Sequence, residues 1–522
     1  MVKVIDLFAG PGGLSEGFSS IKTKDGVPQF DPVLSIEKEN YAFQTLRLRT
    51  FLRSFKGKVP EDYYRFLRKE IEINELFGLH PLESKSSIKK CWNRELGEKG
   101  FLLEEIRNYL NGCLGQNEPV VLIGGPPCQA YSVIGRSRNA GNVNYDPEKD
   151  ERQLLYIEYL QILADHSPAV FVMENVRGLI SAILKGERIF ERILEDLKDP
   201  MLALKREGRK VLKNKAEAKY TIFSLVDGKP LEKVNKDHSI IKCELYGIPQ
   251  KRHRVILLGI RNDLSIKNIS TLKCQNEVDL KSLISDLPKL RCGLSRKMDS
   301  AYAWEEVIRS YQSYGFRNDS DLPKESAKLE TFMRETSKKI KTPPDDRGAE
   351  FIPGNFVSGY KEKWFFDKKI GGICNHHSRS HMLSDIHRYF YAACYSEIYG
   401  ISPKLKDFPP DLLPEHKSAK RDELTKAAFS DRFRVQLANR PGTTVVSHIS
   451  HDGHYFIHYD PLQCRSLTVR EVARIQTFPD SYFFCGPRTA QYIQVGNAVP
   501  PILAQQIAKL VTKILQNSGI IN

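Results

Sequence analysis

The chain has 522 residues, 41% hydrophobic and 27% charged, enough for two or three domains around a sizeable core and too apolar for a disordered tail. Lys and Arg outnumber Asp and Glu by 79 to 64, and the formal charge of +15 favours a polyanionic partner, although the excess is spread too evenly to locate its face. No apolar run reaches the roughly 18 residues of a spanning helix, and the ten cysteines form no CxxC pair, so reduced thiols in a cytoplasmic protein without membrane association are expected.

In chain order, residues 2–8 (VKVIDLF) predict a buried strand, followed by a glycine turn (Gly10, Gly12, Gly13) and a helix from Leu14. Short strands are predicted at 33–37, 120–123, 169–173, 220–226 and 255–260, with helical patterns between them at LLYIEYLQILA from Leu154 and LISAILKGERIFERIL from Leu179. This alternation predicts an α/β fold, a doubly wound and mostly parallel sheet of Rossmann-like type. A charged, helical insertion is expected at about 45–118 within a first domain part spanning 1–261. Residues 262–460 lose the βα rhythm and read as a second, smaller, irregular domain. There Asp452-Gly453, between VVSHIS and HYFIHY, predicts a hairpin. Residues 461–522 return to the first domain, closing with an amphipathic helix from Pro500 to Leu515 that docks on the N-terminal half.

The residues suited to chemistry fall at predicted strand ends. The turn Phe8-Ala9-Gly10-Pro11-Gly12-Gly13 lets backbone approach a nucleotide-like ligand closely, and Glu37, ending the second strand, can accept hydrogen bonds from ribose hydroxyls. Gly124-Gly125-Pro126-Pro127-Cys128-Gln129 follows VVLI and brings a thiol to the same rim, FVMENV brings Glu174 and Asn175, and Gln250-Lys251-Arg252-His253-Arg254 sets two guanidiniums on one face of a strand.

DLFAGPGG, IEKEN, GGPPCQ, MENV, QKRHR, RSLTVREVARIQTFPD from Arg465 and QVGNAVPP from Gln494, in this order, resemble the motifs of the DNA cytosine-5 methyltransferases of bacterial restriction-modification type. The resemblance implies methyl transfer from S-adenosylmethionine to carbon 5 of cytosine in a specific sequence of duplex DNA. In such a mechanism Cys128 adds as a thiolate to carbon 6, a protonated Glu174 donates to ring nitrogen 3, and Arg252 and Arg254 hold the base carbonyl and a neighbouring phosphate. The target base rotates out of the duplex. Residues 129–150, with Gly135 and Gly141, resemble the loop that closes over it, and Gln129, Ser132, Arg136 and Arg138 are the expected DNA contacts. For the cofactor the resemblance carries over Phe8, Gly10, Gly12, Glu37, Pro126, Leu155, Val495 and Asn497. Lys38 stands where the family often has an apolar or aromatic residue that packs on adenine, and Glu105-Ile106 is the nearest match to the family's Asp-Ile pair.

Residues 262–460 would be the target-recognition domain, with Lys361–Lys369 (KEKWFFDKK) able to supply phosphate contacts or to form a solvated face over Trp364. Arg470 and Glu471 would support that domain. Cys374, His376, His377, His381 and His387 lie close enough in sequence to raise zinc, but no second cysteine pair accompanies them and no metal is expected. A monomer acting beside a restriction endonuclease or phage-defence system is expected. Transfer to tRNA and a catalytically inert DNA-binding scaffold are the alternatives.

Overall fold

A computed structural model describes residues 1–56, 58–98, 102–115, 118–127, 155–184, 186–212, 217–264, 266, 268–296, 298–313, 326–415 and 430–521. It divides into two compact units: Met1–Pro60, Phe77–Asn276 and Ala498–Asn522 form the first, and Glu61–Leu76 with Glu277–Asn497 form the second.

The first unit is built on an eight-stranded sheet: β1 (Val2–Leu7), β2 (Phe30–Ile36), β3 (Cys91–Trp92), β4 (Val120–Gly124), β5 (Val170–Val176), β6 (Tyr220–Phe223), β7 (Ile240–Lys242) and β8 (His253–Arg261). Their order is β3-β2-β1-β4-β5-β8-β6, with β7 also paired to β8. β3, β2, β1, β4 and β5 pair in parallel, whereas β8 runs antiparallel to β5, β6 and β7, so β8 is the one reversed strand. The result is the expected α/β architecture with a mixed sheet. The strands are apolar on both faces because both are covered: Ile5, Leu7, Leu122, Phe171 and Met173 pack with Tyr159 and Leu163 of helix α2 (Leu155–His166) in one buried cluster. Val4 and Asp6 point the other way by strand alternation.

Helix α1 (Gly13–Ser19) follows β1 through Gly12, whose φ of 98° demands glycine. Against it packs the closing helix Pro501–Asn517, so tightly that a Cβ on Gly17 would lie 2.4 Å from the Ala504 Cβ and 2.5 Å from the Gln505 nitrogen. The side chain of Gln505 also donates to the Ser20 hydroxyl at 2.9 Å.

Three predicted elements come out differently. The helix expected from Leu179 is interrupted: Ile183–Leu184 pairs with Glu187–Arg188 about Gly186, which has a φ of 81°, and the α-helix covers only Ile189–Lys198. The insertion expected to be helical also contains β3, too short to carry a periodic signal. Around Asp452-Gly453 the chain turns, with Asp452 accepting from the His454 N–H, but the flanks are 3-10 turns (Ser447–Ser450, His454–Phe456) rather than hairpin strands, because their apolar side chains Ile449 and Phe456 both turn inward.

In the second unit a hairpin of β9 (Gly348–Pro353) and β10 (Gly372–His377) accompanies helix α3 (Leu383–Tyr399), whose Tyr389 and Phe390 share a core with Trp304 and Ile457. Helix α4 (Val469–Ile475) begins with a reciprocal cap between Thr468 and Glu471. Around it three fully buried arginines hold the unit together: Arg465 forks onto Glu471 (2.7 Å), Arg474 binds Asp480 and Asp286, and Arg470 donates to the carbonyls of Cys374, Pro479 and Tyr482. Glu61–Leu76 belongs here because its aromatics do: Tyr63 donates to the Ser481 carbonyl, Tyr64 to Asp367, and Phe66 meets Phe483 edge-on at 5.1 Å.

Candidate active site

Sheet register brings the predicted residues to one row. Leu7 pairs with Ile36 and with Gly124, and Gly124 pairs with Met173, so the residues that follow (Phe8, Glu37, Gly125 and Glu174) emerge side by side at the carboxyl edge of the parallel strands. The strand order reverses between β1 and β4, where open α/β sheets leave a crevice for ligands. β8 enters at this same edge because it runs backwards, with Arg254 opposite Val176 and Ile256 opposite Glu174.

On the β1–β2 side, Phe8 adopts a left-handed conformation with a φ of 56°, a strained position for a bulky residue, and packs part of its ring on the core. The Gly10 N–H donates to Glu37 Oε2 at 2.8 Å, and the Glu39 N–H to Glu37 Oε1 at 2.7 Å. Burial raises the Glu37 pKa above its ordinary value, partly offset by these two N–H groups. Each oxygen keeps a further lone pair for a ligand hydroxyl. Among the described residues nothing lies within 4 Å of where a Gly10 side chain would begin.

On the β4–β5–β8 side, Glu174 Oε1 is ion-paired with the Arg254 Nε at 3.0 Å, and a Cβ on Gly125 would approach Glu174 Oε2 to 3.0 Å. Asn175 donates to the Pro126 carbonyl at 3.1 Å, tying the start of the thiol-bearing loop to β5. Arg252 is buried, and desolvation, then the charge of Arg254, lowers its pKa to about 9. The Cys243 N–H donates to the Arg252 carbonyl, and His253, pointing away from the two arginines, binds Glu244 at 2.8 Å.

Cys128, Gln129, Ser132, Arg136 and Arg138 lie outside the described residues. Leu155 opens α2 and lies close to Gly97, after β3. Val495 and Asn497 belong to the second unit, on helix α5 (Arg488–Asn497), where Val495 is buried and Asn497 ends the helix exposed. Lys38 is ion-paired with Glu95 at 2.6 Å. Glu105-Ile106 is not at a strand end: Glu105 lies on the helix Leu102–Cys113 and pairs with Arg94, and Ile106 is in the core. The residue after β3 is Asn93, whose side chain donates to the carbonyls of Glu37 and Lys38 (2.9 and 3.0 Å). A two-residue strand hid it from sequence reasoning.

The histidines raised for zinc are held by protein groups. His376 bonds Thr468 and the Pro288 carbonyl, His381 meets Ser466, His387 meets the Val307 carbonyl, and the Cys374 thiol faces the Leu67 carbonyl. Among the described residues no three His, Cys, Asp or Glu side chains are grouped to hold a metal. Trp364 donates its indole N–H to the Thr477 carbonyl and Phe365 is buried, so this stretch is anchored inward.

A rim of this kind, at the switch point of a sheet with a reversed strand, is the ligand crevice of a Rossmann-like α/β protein. A profile described as C-5 cytosine-specific DNA methylase matches residues 83–200 and 233–513, and the chain belongs to that family. It is 32% identical to the Type II methyltransferase M.Bpa9945I of Bacillus paralicheniformis over 98% of this chain and 99% of that protein. It is 26% identical to the DNA (cytosine-5-)-methyltransferase M.ApeKI of Aeropyrum pernix, over 76% of this chain and 81% of that one. A crystal structure of a DNA modification methyltransferase encoded within an E. coli prophage shares the fold, with a TM-score of 0.51 at 18% identity over 99% of this chain and 100% of that one.

The family uses S-adenosylmethionine, and the residues of the first unit fit it: a carboxylate for two ribose hydroxyls at Glu37, open space over Gly10, and an apolar ring at Phe8.

Proposed function

We propose that the chain methylates carbon 5 of cytosine at a specific site in duplex DNA through a transient Cys128 adduct on an extruded base, with Glu174, Arg252 and Arg254 as catalytic residues. The observation that supports it most is the alignment of Glu174 with the end of β4 and the entry of β8, since one register row brings an acid, two guanidiniums and the Gly125-Pro126 start of the Cys128 loop to one edge.

Carbon 5 of cytosine is a poor nucleophile. A bond from the Cys128 sulfur to carbon 6 pushes electron density into the ring, and the thiolate is the form that makes it. In its protonated form Glu174 donates to ring nitrogen 3, and the adjacent Arg254 keeps the carboxyl oriented. Arg252, a cation out of water, faces the developing charge without solvent to reorganise. S-adenosylmethionine supplies an electrophilic methyl group when bound, held by Phe8, Gly10, Gly12, Glu37 and Pro126. Loss of the carbon 5 proton to base then restores the double bond and expels the Cys128 thiolate.

The finer setting is part of the same proposal: a monomeric, cytoplasmic enzyme that protects DNA from a partner endonuclease, with the second unit reading the target. Among the described residues no helix is long and apolar enough to cross a membrane. The test is transfer of labelled methyl groups to duplex DNA and to tRNA, alongside Cys128→Ala and a duplex carrying 5-fluorocytosine in the target. Label in DNA that disappears in the variant, together with a protein–DNA adduct on the fluorinated duplex, is expected. Label in tRNA only, or retained by Cys128→Ala, overturns the reading.

A further inference from the structure

Within the second unit, three arginines and a histidine from distant parts of the sequence converge where β10 ends and α5 begins. Arg488 Nη1 donates to the Ser378 carbonyl at 2.6 Å and lies 3.4 Å from His377 Nδ1. Arg347 Nη2 donates to the same carbonyl at 3.3 Å and to the Ser380 hydroxyl at 3.2 Å, with Nη1 on Asp299. Arg379 stacks its guanidinium 4.6 Å above the Tyr492 ring and donates to the Ile449 carbonyl.

Buried cations are ordinarily paired with carboxylates. Here they are not. Asp299 is shared with Arg291, Glu350 is bonded to Asn375, and among the described residues neither Arg379 nor Arg488 has an ion pair. Arg379 is only 8% exposed and Ser378 1%. Among the described residues the Ser378 hydroxyl, Arg347 Nε and Arg379 Nε are buried without a hydrogen-bond partner. Unsatisfied donors beside positive charge that Asp299 and Glu350 only partly offset are the chemistry of an oxyanion site, and the amino terminus of the ten-residue helix α5 adds its dipole.

We propose that Arg347, Ser378, Arg379 and Arg488 bind one backbone phosphate of the duplex, a contact that positions the DNA on the second unit without reading its sequence. The assignment rests on the DNA-methylating reading above. A tetrahedral phosphodiester fits because it offers two anionic oxygens to several converging donors.

The test measures binding of the full-length protein to fluorescent duplexes across a salt series. Each neutralised phosphate contributes about 0.9 to the slope of log affinity against log salt. Arg488→Gln is expected to lower the slope by about one and to weaken binding about equally for every duplex sequence, while Arg488→Lys retains the slope. Should Arg488→Gln fold poorly, Ser378→Ala replaces it, with weaker binding at constant slope expected. An unchanged slope in a folded Arg488→Gln protein overturns the proposal. Thermal stabilisation by inorganic phosphate that depends on Arg488, with no change in the DNA slope, also overturns it. Loss of methyl transfer in the wild type with a normal salt slope would instead refute the catalytic reading alone.

Discussion

Asp6 lies on β1 facing α1, fully buried, and neither carboxyl oxygen has a hydrogen-bond partner among the described residues. Burial, only partly offset by Ser15 and Arg53, raises its pKa from the ordinary 3.8 to about 7. A carboxyl whose pKa is higher in the folded state binds its proton more tightly there, so folding is favoured at low pH and loses stability as pH rises from about 4 to about 7, levelling off above. The gap corresponds to about 4 kcal/mol at full ionisation. Asp6→Asn replaces the acid with a neutral group of the same shape. Thermal melts of both proteins at intervals from pH 4 to 8 are expected to nearly coincide at pH 4 and to diverge upward, with the variant more stable at pH 8 by up to about 4 kcal/mol. A constant difference across the range, or a wild type that gains on the variant as pH rises, would refute the argument.

Glu471 carries the opposite sign: against the effect of burial, Arg465 holds its carboxyl well below the usual range, so its stabilisation is present above about pH 4 and lost on acidification. Glu471→Gln should cost about 3–5 kcal/mol at neutral pH by leaving Arg465 buried and unpaired, and should flatten the acid limb of a stability curve. Gly125→Ala puts a Cβ 3.0 Å from Glu174 Oε2 and should lower kcat about tenfold or more with little change in melting temperature. Glu174→Gln should reduce kcat about 10²–10⁴-fold in a methyl-incorporation assay. Gly17→Val, by contrast, should lower the melting temperature sharply, because the atoms it meets belong partly to the backbone of the closing helix.

Much of the first unit could be read from the chain because its signals are local. Runs such as VKVIDL and VVLIG have few polar residues, the turn after β1 needs glycine, and Glu37 and Glu174 stand one residue beyond, or at the end of, such runs. What was not legible depends on contacts across sequence. Cys91–Trp92 is a strand only because Ser35 and Ile36 offer it a ladder. Asp6 looks like one more letter of a motif until the sheet buries it. The cluster at Arg347, Arg379 and Arg488 spans well over a hundred positions, and no composition window sees it. Alternating residues around Asp452-Gly453 misled for the reverse reason, since a strand-like pattern also serves a chain folded inward by short turns.

The contact between α1 and Pro501–Asn517 bears on when the protein becomes competent during synthesis. Ser20 meets its partner Gln505 485 positions later. At a ribosomal pace of 5–20 residues per second that interval is roughly 25–100 s. The turn of Phe8 and Gly10 therefore emerges well before the wall that steadies its helix, and a polypeptide released ahead of Gln505 would carry that turn without the means to hold it in place.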